Sequence, residues 1–375
     1  TRKFIFMVRA RDDAEVPDLT PAFAAFDVVD PHFERNLLVV DINAGFSLNG
    51  RNPVVAHQYW QDAVDAWQAK TGLPVDYVDS IDYFNPNGPR GAILPLEVLL
   101  GHKVAILIND NAISGALSVL MNAIVKGINS GVNTWLMSRA PFQAGEATEP
   151  NIPGGLMINP ALLPSEYEQF FGVKGLAFSG WDWWVRLAPL IGLEKLRIED
   201  FVGAHSLDVN RWPDLSIDTA NLHARYAWDF SHPWLDTVAA LPEVDWFVRI
   251  PPTEPMYLYK SRFGARHFLG ETYSFEGRPV MIRYNTGLFR TAHSLFGPYG
   301  FDDAQYQQLI ESMLEWLFNG RIGQGSTSIA EMLKPDPTAP DPAYSKRLID
   351  QYWEARDRQL EMKEPVKYDV RRPLR

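Results

Sequence analysis

The chain has 375 residues, 46% of them apolar and 22% charged, which is enough to bury a sizeable core and more than one ordinary domain needs. Its 35 basic and 46 acidic residues leave a net charge of -11, which repels phosphate backbones and anionic lipid, so nucleic acid is not an expected partner. The sequence has no cysteine; that removes disulfides, thiolate metal sites and any cysteine nucleophile, and it leans toward an exported protein that folds without bridges.

The first element is the alternating run Phe4-Ile5-Phe6-Met7-Val8-Arg9-Ala10, which reads as a strand already under way at Thr1 and leads us to expect a processing or proteolytic cut at this end. Pro17, Asp18 and Pro21 supply a turn, and Phe23 to Val29 forms a second strand before Pro31. This pair resembles the last two strands of the fibronectin-type or immunoglobulin-like modules of large secreted bacterial proteins. Two strands cannot close a sandwich core, so residues 1–33 are expected to lie outside the main domain and to require a partner strand.

From residue 34 the period changes. Asn36-Leu37-Leu38-Val39-Val40-Asp41 is a continuous apolar run ending in an acid, as in a strand buried on both faces of a parallel sheet. Residues 53–70 follow as a helix, with Pro53 in its first turn, Val54, Val55, Tyr59, Ala63, Val64 and Trp67 at helical spacing, and Gly72 as its stop. Pro74 to Val78 is a short strand and His102 to Asp110 a long one. Ser114 suits the cap of a helix running to Asn129, Gly131 ends it, and Val132 to Met137 returns as a strand. This alternation predicts a doubly wound, mostly parallel α/β sheet.

The pattern then breaks, and residues 141–277 read as a large Trp-rich α+β insertion with strands near 198–204 and 255–261. It resumes with a hairpin, Pro279 to Tyr284 and Phe289 to Phe296 about a turn at Asn285-Thr286-Gly287, followed by a helix capped by Asp302. The α/β domain is thus expected over 34–140 and 278–320. Residues 321–375 carry Pro335, Pro337, Pro340 and Pro342 as a stiff spacer, then a helix from about Ala343 whose Leu348, Ile349, Tyr352 and Trp353 fall on one side. Those four residues make the arm a candidate docking interface. No segment reaches the roughly 20 apolar residues of a membrane span; the nearest, Gly175 to Leu193, is interrupted by Asp182, Arg186 and Pro189.

The succession Leu37-Leu38-Val39-Val40-Asp41, Tyr59 to Trp67, Ile106-Leu107-Ile108-Asn109-Asp110 and Trp135-Leu136-Met137-Ser138-Arg139, closed by Phe289 to Phe296 and Glu315-Trp316-Leu317, resembles the class I glutamine amidotransferase-like, flavodoxin-like domain. Specifically, it is similar to the copies embedded in large secreted bacterial proteins beside immunoglobulin-like modules. Amidase activity does not come with the resemblance. That chemistry needs a cysteine on the turn after a central strand, and here the turn reads Asn109-Asp110-Asn111-Ala112-Ile113-Ser114-Gly115, with neither cysteine nor a G-x-S-x-G elbow.

Candidate ligand-binding residues are therefore Asp41, Asn109 and Asp110, at the carboxyl edge where α/β sheets bind ligands, and Trp181, Trp183 and Trp184, whose rings suit a core, an interface or a sugar platform. The eight histidines contain no H-E-x-x-H and no pair at i, i+4, and no phosphate-binding glycine loop occurs, so neither metal nor cofactor is expected. Alternation puts His293 and Arg290 on opposite sides of the closing strand. The reading is a non-catalytic structural or protein-binding module of an exported, cell-surface or periplasmic multidomain protein, its partners being other chains or further domains. The alternative is a hydrolase or carbohydrate-binding protein using the edge acids and the Trp residues.

Overall fold

The computed structural model describes residues 2–8, 22–42, 53–79, 94–109, 116–138, 156–158, 169–179, 201–226, 240–241, 244, 246–249, 252–262, 264, 267–268, 271–272 and 276–319. In chain order these form β1 (Arg2–Val8), β2 (Ala22–Val28), β3 (Arg35–Asp41), α1 (Pro53–Thr71), β4 (Val75–Asp79), α2 (Leu96–Leu100), β5 (His102–Asn109), α3 (Ala116–Asn129) and β6 (Asn133–Ser138). There follow β7 (Leu156–Ile158), β8 (Val173–Ser179), β9 (Phe201–Ser206), β10 (Leu215–Ser216), α4 (Thr219–Arg225), β11 (Trp246–Arg249) and β12 (Glu254–Ser261). The last are β13 (His267–Phe268), β14 (Glu271–Thr272), β15 (Pro279–Asn285), β16 (Arg290–Ser294) and α5 (Asp303–Phe318).

The apolar run of β3 is buried from Asn36 to Asp41, and every residue of β5 and β6 is buried, because both faces of these strands are covered. β3, β5 and β6 are parallel neighbours, in register at Val39, Ile106 and Trp135. They lie toward one side of a nine-stranded sheet ordered β10-β9-β12-β15-β16-β6-β5-β3-β4. Pairing is parallel from β16 to β4 and antiparallel from β10 to β16, so seven of the nine strands share one direction and only β9 and β15 oppose it. The molecule is a mixed α/β protein built on a large, mostly parallel sheet.

The 141–277 segment, set apart by sequence pattern, contributes β9, β10 and β12 to this same sheet as an antiparallel flank on β15. Hydrogen bonds between strands distant in sequence decide that membership, and a local pattern does not encode them. β7, β8 and β11 make a separate three-stranded sheet, and β1 and β2 pair antiparallel as a two-stranded sheet outside the large one, Phe4 opposite Phe26.

Helix α1 stops where Gly72, at φ +70, donates its amide to the Gln68 carbonyl at 2.8 Å. Its Trp60, Ala63, Val64 and Trp67 are buried. Asp302 caps α5 by accepting from the Gln305 amide at 3.0 Å, and Tyr306, Leu309, Ile310, Met313, Leu314 and Leu317 face the core as their spacing predicts. The two helices meet directly, Trp67 stacking on Phe318 at 5.8 Å, and Trp60 Nε1 donates to the hydroxyl of Tyr299, in the segment leading into α5, at 2.8 Å. Asn133 ties α5 to the sheet, its Nδ2 donating to the Leu317 carbonyl at 2.6 Å and its Oδ1 accepting from the Arg290 amide at 2.8 Å.

Candidate functional site

Every parallel strand from β4 to β6 delivers a polar residue to the carboxyl edge: Asp79, Asp41, Asn109 and Ser138 in order across the sheet. Register decides which of them share a face. Asp41 lies level with Asp79 on one side and Ile108 on the other, whereas Asn109 lies level with Ser138. Because successive side chains alternate, Asp41 and Asp79 belong to one face and Asn109 and Ser138 to the other. Asn109, fully buried, donates from Nδ2 to Ser138 Oγ at 3.4 Å.

The opposite face carries the denser chemistry. Asp41 is only 4% exposed and accepts from the Tyr77 hydroxyl at 3.4 Å. Tyr77 projects from β4 level with Val39, and its ring meets His57, an exposed residue near the start of α1, edge-on at 4.9 Å. The candidate site is therefore Asp41, Asp79, Tyr77 and His57, at the mouth between β3, β4 and α1. Neighbouring strands stand about 4.8 Å apart, so the two carboxylates of this row are near neighbours.

Of the residues singled out from the sequence, Asp41 and Asn109 both reach the edge but not a common face. Asp110, Trp181, Trp183 and Trp184 lie outside the described residues, as do Ser114 and the arm residues Leu348, Ile349, Tyr352 and Trp353. Among the described tryptophans of the insertion, Trp212 and Trp246 are core residues, 2% and 7% exposed, each capped by a guanidinium, Arg211 at 4.8 Å and Arg278 at 4.7 Å. The sequence reading passed over Asp79, Tyr77 and His57. Its only signal was that Asp79 ends a strand next to the strand that Asp41 ends.

At the amino edge of the same strands Asp76 accepts from His102 Nε2 at 2.6 Å and from Arg35 at 2.8 Å, while His102 Nδ1 faces the Val98 carbonyl at 2.7 Å. Partial burial raises the Asp76 pKa, but the hydrogen bonds from His102 and Arg35 outweigh it and hold the carboxyl below its ordinary range. This cluster fastens β3, β4, β5 and α2 together. Among the described residues no group of three His, Asp or Glu converges as metal ligands, and no helix is long and apolar enough to cross a membrane.

No family model matches the chain, and no curated protein does. Among solved structures it is similar to a polyextremophilic β-galactosidase from the Antarctic haloarchaeon Halorubrum lacusprofundi, at 12% identity and a TM-score of 0.32, over 79% of this chain and 32% of that enzyme. The chain thus spans about a third of that enzyme's length, and a likeness at this level transfers neither fold nor activity.

Proposed function

We propose that this chain is a non-catalytic structural or protein-binding module of an exported or cell-surface multidomain protein. The observation that carries the reading is the division of the carboxyl edge: Asn109 bonds to Ser138 on one face and Asp41 to Tyr77 on the other, so these two residues lie on opposite faces and do not share a reacting atom. Its partners are other chains or further domains of the same parent protein. The net charge of -11 argues against nucleic acid, the cysteine-free composition supports export, and the reading requires no cofactor.

The scaffold we infer is a flavodoxin-like, doubly wound unit of the class I glutamine amidotransferase-like type. The order β4-β3-β5-β6-β16 supports it, since the chain moves one way from β3 to β4 and the other way from β4 through β5 to β6. Right-handed crossovers then call for α1 on one face and α2 and α3 on the other. The separate β1–β2 pair supports reading those strands as the close of an immunoglobulin-like module.

The level Asp41–Asp79 pair favours a second reading, a hydrolase with paired carboxylates or a carbohydrate-binding protein assisted by Trp181, Trp183 and Trp184. One experiment separates the two. The intact chain is assayed against glutamine and a panel of chromogenic glycosides beside Asp41→Asn, Asp79→Asn and Ser114→Ala. The module reading expects no turnover above buffer in any of them; turnover abolished by Asp41→Asn or Asp79→Asn establishes the hydrolase, and glutamine hydrolysis abolished by Ser114→Ala establishes an amidase.

A further inference from the structure

At the amino edge of the sheet one imidazole faces two acceptors. His102 opens β5 and is 3% exposed; its Nδ1 stands 2.7 Å from the carbonyl oxygen of Val98, four residues back in α2, and its Nε2 stands 2.6 Å from a carboxylate oxygen of Asp76 in β4. A carbonyl and an ionised carboxylate only accept, whereas a neutral imidazole has one N–H and one lone pair. Either neutral tautomer would therefore press a lone pair against an oxygen at one of these two distances. The ring with both nitrogens protonated satisfies both. Asp76 does not supply the missing proton: burial alone would raise its pKa, but the hydrogen bonds from His102 and from Arg35, at 2.8 Å, hold it below its ordinary range.

We propose that His102 carries both protons in the folded chain and works as a proton-operated clasp on β4. This goes beyond the module reading and does not depend on it. Among the described strands β4 pairs with β3 alone, and His102 reaches it from β5, two strands away, so the ion pair ties β4 to β5 and α2 independently of the β3 ladder. Arg35, the first residue of β3, meets the same Asp76 oxygen, but its side chain is 61% exposed and screened by water, which leaves the buried imidazolium as the firmer partner. The other elements around the joint bring uncharged contacts: Gln68 of α1 donates to the Val75 carbonyl at 3.4 Å, and α3 meets α2 where Gly127 lies beside Leu99. The neighbouring titratable groups are His32, on the segment leading into β3 and beside Gly101, and Lys103, next along β5.

The two charged partners respond to pH in opposite senses. A ring that gains two acceptors on folding contributes stability at low pH, lost as it gives up its second proton on the alkaline side. A carboxyl held below its ordinary range contributes stability above that range, lost as the pH falls. The clasp is thus closed over a middle window, opened by acid through Asp76 and by base through His102. Its reach extends to the carboxyl edge, because the residue after Asp76 is Tyr77, whose hydroxyl donates to Asp41, and Asp79 ends the same strand. Loosening β4 loosens both groups from β3.

The first test reads the ring in the unaltered chain. With isotope-labelled histidine, and His102 assigned by the resonances missing from His102→Gln, both its nitrogens should be protonated at pH 7; one unprotonated nitrogen overturns the proposal. The second test follows β4. Corrected for the intrinsic pH dependence of exchange, protection of amides 75–79 should fall roughly tenfold between pH 6 and pH 9 in the wild type. In Asp76→Asn the new amide can donate to a neutral ring, the second proton is no longer needed, and protection should stay level over the same range. A fall of equal size in the wild type and Asp76→Asn assigns the effect to other groups and overturns the proposal as well.

Discussion

His293 has no exposure at all, and its ring lies edge-on to Phe171 at 5.9 Å and Phe247 at 4.8 Å. Burial disfavours the charged imidazolium and lowers its pKa from 6.5 to about 3. The unfolded chain binds this proton below about pH 6.5 and the native chain only near 3. Between those values the unfolded state holds more protons, so stability falls as the pH falls and levels off above the upper value. Denaturant titrations from pH 7 down to 4 should therefore show the wild type losing up to about 1.4 kcal/mol per pH unit more steeply than His293→Phe. Parallel profiles for the two proteins would remove His293 as the source. Three residues earlier Arg290 turns to the other side, donating to the Trp316 carbonyl and resting 5.3 Å from that ring, as strand alternation alone requires.

β9 is an element decided by one backbone position. Gly203 lies opposite both Ser216 of β10 and Lys260 of β12, at φ +155, and a Cβ added there would stand 2.2 Å from the Leu215 carbonyl oxygen. That obstacle is main chain and cannot swing aside. Gly203→Ala should lower the unfolding free energy by about 2 to 4 kcal/mol in urea, because β10 must either part from β9 or strain against it. A loss within about 0.5 kcal/mol would mean that the flank tolerates the separation. The glycine is visible in the sequence, but its neighbour across β10 is not. α5 presents the opposite case: the Asp302 cap and the apolar spacing are local, and the helix starts and faces the core where they indicate.

Across the whole molecule the protection of the strands should follow their position in the sheet. β3, β5 and β6 are covered on both faces and flanked by paired strands, so amides at 104–108 and 134–137 are expected to exchange only through global unfolding. β1 and β2 pair only with each other among the described strands, and a two-stranded ribbon contributes little stability of its own. Amides at 2–8 and 22–28 should exchange at least roughly tenfold faster in native-state hydrogen exchange. Equal protection would mean that this pair belongs to the same cooperative unit as the central sheet.

Sequence by itself determined β3, β5 and β6, since an unbroken apolar run such as Val104 to Ile108 has only a two-sided interior to occupy. It also determined the end of α1, through Gly72, and the start of α5, through Asp302, because caps act within a few residues of themselves. Tertiary structure alone decided that β9, β10 and β12 extend the sheet and that Asp79 stands level with Asp41 while Asn109 does not. It also set His293 among aromatic rings from two distant segments. The reason is common to all three: strand pairing and register are set by hydrogen bonds between residues far apart in the chain, and one residue of register exchanges the faces on which side chains meet.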